Sequence, residues 1–256
     1  MAQLQIEQIP ALSDNYVYLV HEPQAGITAV VDPAVAAPVL DRLGARGWKL
    51  DWILTTHHHS DHTGGNLELK EATGCQVVGA QSDAARIPGL DLGLAEDDRF
   101  RLGEAEAEIL ATPGHTSGHI SYWFAGAGAL FCADTLFSLG CGRLFEGTPA
   151  QMWRSLCKFA PLPDDALVYC GHEYTQANAR FALSVDPDNP ALQARAAEVD
   201  RLRAAGQPTV PSTLGAERAA NPFLRPHDPA IRRRLGMADA DDIAVFAELR
   251  KRKDHF

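Results

Sequence analysis

Residues 55–66 read TTHHHSDHTGGN. Four histidines and an aspartate fall between positions 57 and 62, directly after the apolar run Trp52–Leu54. A short apolar run of this kind reads as a strand. In an extended segment, residues two apart point the same way. His57 and His59 are therefore expected to converge on one point while His58 faces away. Asp61 and His62 follow at the start of an expected helix through Gly64, Gly65 and Asn66, a spacing that suits a second point beside the first. A histidine run left by an affinity tag is contiguous and terminal, and this one is neither.

Three other stretches repeat the pattern of apolar strand followed by metal-competent side chain. They are ILATPGH at 109–115, LFCAD at 130–134 and LVYCGH at 167–172. A single histidine or aspartate in such a loop usually faces solvent or caps a turn, so the weight rests on the HxHxDH cluster. Together the four strand ends supply His57, His59, His62, His115 and His172, with Asp61 and Asp134. Five imidazoles and two carboxylates suffice for two metal ions sharing one carboxylate. Imidazole with carboxylate suits zinc or iron and accepts manganese. His58 is expected to play a structural or supporting role, and His119 a hydrogen-bonded or exposed one. His21, His227 and His255 have no ligand-like setting.

The rest of the chain bounds the possibilities. It has 256 residues, 46% apolar and 22% charged, the balance of a globular protein. The net charge of −10 argues against general nucleic-acid binding, which needs phosphate-neutralising cations. No apolar run approaches the roughly 20 residues needed to span a bilayer, and MAQLQIEQIPALSDN lacks the features of a signal peptide. The five cysteines are widely spaced with no CxxC pair. They read as free thiols in a reducing cytoplasm, and a monomer without membrane or nucleic-acid partners is expected.

Up to about residue 173 the chain is rich in short apolar runs: LQIEQI, NYVYLV, ITAVV, WILTT, QVVGA, AEAEIL, ISYWF, ALFCA and ALVYC. Helical spacing appears between some of them, over 35–46, 66–73 and 151–159. This pattern predicts layered sheets with helices outside. After Glu173 the strands are expected to stop, and 174–183, 192–205, 230–235 and 241–251 read as helices separated by DPDNP, GQPTVPSTLG and RPHDP. The expected division is a catalytic domain over 1–173 and a helical domain over 174–256.

THHHSDH, TPGHTSGH, FCADTLF and YCGHEYT resemble the successive motifs of the metallo-β-lactamase superfamily. IPALSDNYVYLV, CGRLFEGTPAQMW, NPFLR and the ending RKRKDHF narrow the resemblance to the glyoxalase II family, from near residue 5 to the C-terminus. It implies an α/β fold, a four-layer αββα sandwich, followed by a smaller all-helical domain that binds substrate. It also implies that His57, His59 and His115 hold one metal and that Asp61, His62 and His172 hold the other. Asp134 would bridge them, and a hydroxide between the metals would be the nucleophile. The implied reaction is hydrolysis of the thioester S-D-lactoylglutathione to glutathione and D-lactate, a step of methylglyoxal degradation, with zinc the expected metal and iron or manganese the alternatives. Asp61 and Asp134 are the candidate catalytic carboxylates.

On the substrate side, the tail RKRK reads by itself as a solvated helix end whose cations complement the helix dipole. The resemblance instead assigns Arg250 and Lys253 to a glutathione carboxylate and Tyr174 to the glutathione backbone. Arg143 stands where well-known eukaryotic members carry lysine and can still bind a carboxylate. Phe145 stands where they carry tyrosine and cannot donate a hydrogen bond. Two other readings are another hydrolase or a glutathione persulfide dioxygenase of the same superfamily, and a non-enzymatic metal-binding module.

Overall fold

The strand NYVYLVHE at 15–22 is buried along its whole length, the mark of a strand covered on both faces. Val17 and Leu19 point into an apolar cluster with Val39, Leu43 and Leu69, while Tyr18 meets Phe131 edge to face at 5.7 Å. One face therefore meets helices and the other meets a second sheet. The computed structural model describes residues 4–256. Contacts gather residues up to 112 together with 116–133 into one compact unit, and 113–115 with 134–256 into another. The expected boundary near 173 follows a different criterion, the change from strand-rich to helix-rich sequence.

The first unit contains β1 (Gln5–Ala11), β2 (Asn15–Glu22), β3 (Ile27–Val31), α1 (Ala37–Arg46), β4 (Trp52–Leu54), α2 (Ser60–Thr63), α3 (Asn66–Thr73), β5 (Gln76–Ala80), β6 (Leu90–Leu94), β7 (Arg99–Leu102), β8 (Ala105–Ala111), β9 (Ile120–Phe124) and β10 (Ala129–Ala133). The first six strands form one sheet in sequence order. It is antiparallel across β1, β2 and β3 and parallel from β3 to β6. The parallel half needs crossovers, and α1 and α3 supply two of them. α1 has proline in its first turn and stops at Gly47, whose φ of 67° lets its N–H reach the carbonyls of Gly44 and Leu43. In the second sheet β7, β8, β9 and β10 run antiparallel side by side. The two sheets face each other through Trp52 and Phe100, 5.3 Å apart, and through Tyr122, whose hydroxyl donates to the Thr55 carbonyl at 3.0 Å. That last bond anchors the end of β4, where the histidine run begins.

The second unit contains β11 (Leu136–Phe137), β12 (Gly140–Cys141), α4 (Pro149–Cys157), β13 (Leu167–Cys170), α5 (Thr175–Val185), α6 (Pro190–Ala204), β14 (Ser212–Thr213), α7 (Leu214–Ala220), α8 (Pro229–Leu235) and α9 (Asp242–Asp254). Side chains fix most of the helix starts. Thr148 and Gln151 form a capping box on α4, and Asn189, Asp228 and Asp241 cap α6, α8 and α9. Phe223 joins α5 to α9, its ring 5.9 Å from both Phe181 and Phe246. Two elements differ from expectation. The strands do not stop at Glu173, because β14 pairs with β13 through Leu167–Thr213 and Val168–Ser212. The stretch GQPTVPSTLG also holds a helix start, because the Thr213 side chain accepts from the Ala216 N–H and caps α7. No helix among the described residues is long and apolar enough to cross a membrane.

Candidate metal centre

In the first unit the chain bends at Thr56 and His57, just past β4. His57 Nε2 comes to 3.1 Å from His59 Nδ1, so the expected convergence holds, but a bend produces it rather than strand parity. His62 rides on the single turn α2, its ring 4.2 Å from that of His57. The Asp61 carboxylate lies 3.5 Å from His62 Nε2. His58 turns to Asp83, 2.9 Å away. His119 is buried, stacks on the His57 ring at 4.8 Å and bonds Thr112 Oγ1 through Nδ1 at 3.0 Å.

The far nitrogens of His62, His57 and His115 show what orients these rings. His62 Nδ1 bonds Asp32 Oδ2 at 3.1 Å, which leaves Nε2 for a metal. His57 Nδ1 bonds Thr56 Oγ1 at 2.9 Å, and that hydroxyl donates to Asp32 Oδ2 at 2.7 Å. Asp32 also accepts the Thr56 N–H, so this buried carboxylate holds both imidazoles at once. Asp32, His57 and His62 lie close enough to share an ion. Because the carboxylate oxygens are committed to Thr56 and to the far side of His62, Asp32 is a positioning residue. Asn15 does the same for Asp61, donating to its Oδ2 and to its backbone carbonyl at 3.1 Å each. Ligands braced from behind are what metal sites require.

The second unit holds the remaining three candidates. Asp134 Oδ2 lies 3.3 Å from His115 Nε2 and 3.4 Å from His172 Nε2. His115 Nδ1 donates to the Arg143 carbonyl at 2.9 Å, so its Nε2 is again the presented atom. His172 stacks flat on Tyr174, ring centroids 4.7 Å apart. Gly142 makes this packing possible: a Cβ there would sit 1.9 Å from the Asp134 carbonyl oxygen and 3.2 Å from His115 Nδ1. Both ligand sets are imidazole and carboxylate with buried members, a donor chemistry that fits divalent zinc, iron or manganese.

The description "Metallo-beta-lactamase superfamily" belongs to the family model that matches residues 12–172, and a second model, for the hydroxyacylglutathione hydrolase C-terminus, matches 173–256. A curated relative from Methylococcus capsulatus, named hydroxyacylglutathione hydrolase, is 60% identical over 99% of each chain. The chain belongs to the hydroxyacylglutathione hydrolase family. The family's Rhodospirillum rubrum member is 57% identical over the whole of both chains. The crystal structure of ETHE1 from Myxococcus xanthus shares the fold at a TM-score of 0.70, with 24% identity over 96% of this chain and 90% of that one. The sheets, outer helices and helical C-terminal region are thus the metallo-β-lactamase fold with the additional segment that hydroxyacylglutathione hydrolases carry.

The residues that the family resemblance assigns to substrate all lie in the second unit. Arg250 is only 4% exposed. Its guanidinium donates to the Cys141 carbonyl at 2.8 Å, pairs with Asp254 at 2.8 Å and lies over the Phe223 ring. Lys253 is half-buried and donates to the Ala177 carbonyl at 3.3 Å. Burial pushes its ammonium below the ordinary lysine range, and the cations of Arg250, Arg180 and Arg143 push it the same way. Arg143 is exposed, Tyr174 is partly so, and Phe145 is 62% exposed with its ring 5.2 Å from His115. Lys251 and Arg252 are exposed, the latter paired with Glu248. In Asp32 and Asn15 the structure adds two residues that the sequence reading passed over. Asp32 ends the strand ITAVV just as Asp134 ends ALFCA, and that parallel was the available signal.

Proposed function

We propose that this chain hydrolyses S-D-lactoylglutathione to glutathione and D-lactate, using two divalent ions, most simply zinc. The observation that carries the reading is full-length identity of 60% to a hydroxyacylglutathione hydrolase in a chain with two braced imidazole–carboxylate sets. His57, His59 and His115 would hold one ion, Asp61, His62 and His172 the other, and Asp134 both. Ions bound there would supply an acidified water and a Lewis acid for the thioester carbonyl.

The chain's own groups do the rest. Asp32 keeps His57 and His62 aimed through Nε2. Asn15 fixes one oxygen of Asp61. Asp134 sets one oxygen beside the Nε2 atoms of both His115 and His172, where it would share their ions, and the Arg143 carbonyl holds His115 from behind. On the substrate side, Arg143 and Lys253 offer charge to the glutathione carboxylates, and the Tyr174 hydroxyl offers a hydrogen bond to its backbone. Arg250 joins them through N–H donors beyond those given to Cys141 and Asp254, since a guanidinium has five. Phe145 adds an apolar surface where a tyrosine would add a donor. A thiolate leaves without being protonated first, so no side chain has to act as a general acid, and with a thiol pKa of about 8.5 it takes its proton from solvent after departure. The family-model boundary between residues 172 and 173 supports a catalytic domain over 1–173 and a helical substrate domain over 174–256. A reducing cytoplasm suits five cysteines that are all free.

The test is metal-replete protein with S-D-lactoylglutathione, following loss of the thioester, beside elemental analysis and a panel of esters, lactones and glutathione persulfide. Turnover of the glutathione thioester with two ions per chain is expected. Turnover of another panel member in its place would overturn the substrate, and absence of any turnover by the loaded protein would favour a binding module.

A further inference from the structure

His58 stands between two metal-ligand candidates, yet both of its ring nitrogens face other partners. Its Nδ1 lies 2.9 Å from Asp83 Oδ2, and Arg86 Nη1 lies 3.3 Å from its Nε2. A carboxylate accepts and a guanidinium only donates. The partners therefore assign His58 a proton on Nδ1 and a lone pair on Nε2. Asp83 is 2% exposed, and its other oxygen takes Arg86 Nε at 2.8 Å and Arg86 Nη2. Arg86 Nη2 goes on to Ser117 Oγ at 2.8 Å. Asp83 is also pressed against Gly118, where an added Cβ would lie 2.3 Å from the carboxyl carbon. On the other side, the Thr63 hydroxyl donates to the His59 carbonyl at 3.1 Å.

Three stretches far apart in sequence, 57–59, 83–86 and 117–118, are pinned together by this one buried carboxylate. The His58 ring that it holds packs edge to face against the ring of His59, centroids 5.0 Å apart. What it controls is the backbone from which the rings of His57 and His59 project on either side of His58. A rotation of the His58 peptide would move both rings at once, and their nitrogens are only 3.1 Å apart.

We propose that Asp83, acting through His58, is a positioning residue for the metal centre: it holds the middle imidazole of the histidine run away from metal and so fixes the angle between its two neighbours. The proposal rests on the metal-centre reading above. Loss of supporting hydrogen bonds around a metal typically costs ten- to a hundredfold in affinity.

The experiment loads wild-type, His58→Phe, His58→Asn, Asp83→Ala and Asp83→Asn proteins with cobalt(II). It records the visible ligand-field bands, measures cobalt affinity by chelator competition, and follows thermal melting. His58→Phe keeps the ring volume but no hydrogen bond, whereas His58→Asn places an amide N–H near the position of Nδ1. His58→Phe and Asp83→Ala are expected to weaken the tighter site by about tenfold or more and to shift its bands. His58→Asn should restore most of both, and Asp83→Asn should fall between. If His58→Phe and Asp83→Ala lower the melting temperature while affinity and bands stay at wild-type values, the network merely stabilises the fold and the inference is overturned. If the wild-type chain binds no cobalt, the metal-centre reading falls, and this inference with it. If wild-type binds two ions and only the variants are unchanged, this inference falls alone.

Discussion

Asp134 reaches two imidazoles, at 3.3 and 3.4 Å, through one carboxylate oxygen. Tyr174 stacks on one of the same imidazoles. Removing the two side chains' polar groups should therefore have unequal effects. Asp134→Ala should lower kcat/KM by at least about a hundredfold, because it removes the one carboxylate oxygen that lies beside both imidazole nitrogens. Tyr174→Phe keeps the stack and removes one neutral hydrogen bond to substrate, about 0.5–1.5 kcal/mol, or roughly two- to tenfold. Comparable losses in steady-state kinetics of the two variants would contradict the bridging role. A second comparison separates ligand from brace. Asp32→Ala should leave two ions bound per chain but bind them about ten- to a hundredfold more weakly, whereas His62→Ala should lose one of them; titration with metal and chelator distinguishes the two. The candidate ligands were legible in sequence because four of them are local, and the other three each close an apolar strand. The braces were not. Asp32 reaches His62 across 30 positions and Asn15 reaches Asp61 across 46, and only the fold of β2 and β3 beside β4 brings them together.

Within α9, the positions three apart behave differently from those between them. Arg250 and Lys253 face inward to Cys141 and Ala177, while Lys251 and Arg252 are exposed. Lys253→Ala should raise KM for the glutathione thioester by about tenfold, the worth of one charged hydrogen bond, with little change in kcat because the contact is remote from the reacting carbon. Lys251→Ala should change neither. A thioester lacking the glycine carboxylate should remove the difference, and a defect that persists on it would reduce the tail to a helix end. Arg250→Ala should cost stability as well as KM, because it also deprives a buried carbonyl of its donor. The Lys253 environment adds a pH dependence. Burial, with Arg250 next, lowers its pKa from the ordinary lysine value of 10.5, so it loses its charge at a lower pH than a solvated lysine. KM should accordingly rise with pH in the window below 10.5, and Lys253→Arg should move that rise to higher pH. Most helices were legible because their stops are glycine or proline and their apolar positions recur at helical spacing. The exception, α7, has the sequence LGAERAA, with too few apolar positions to announce itself, and only its Thr213 cap marks the start.

At the scale of the whole chain, ions that bind the folded state alone add to its stability by mass action, about 2.7 kcal/mol for a free concentration a hundred times the dissociation constant. Chelation should lower the melting temperature by roughly 5–10 °C, and calorimetry with and without chelator would show no shift if the histidine sets bind nothing. The five thiols give a second global readout. Cys157 is exposed and the other four are buried. Burial pushes Cys141 up to about 11 and Cys170 up to about 12, so neither forms thiolate near neutral pH. A native thiol-reagent titration should count about one fast site per chain and five after denaturation, with Cys157→Ser abolishing the fast one. Gly142 carries a consequence for any comprehensive mutant library of this chain. Every non-glycine codon there places a carbon inside the space of the Asp134 carbonyl oxygen, so the position should read as empty of survivors under selection for thioester turnover, whatever the chemistry of the replacement. Gly44, in the middle of α1 with nothing near the place a Cβ would occupy, should be the opposite column of the same map. There, alanine should be enriched by the roughly 0.5–1 kcal/mol that it adds to a helix over glycine.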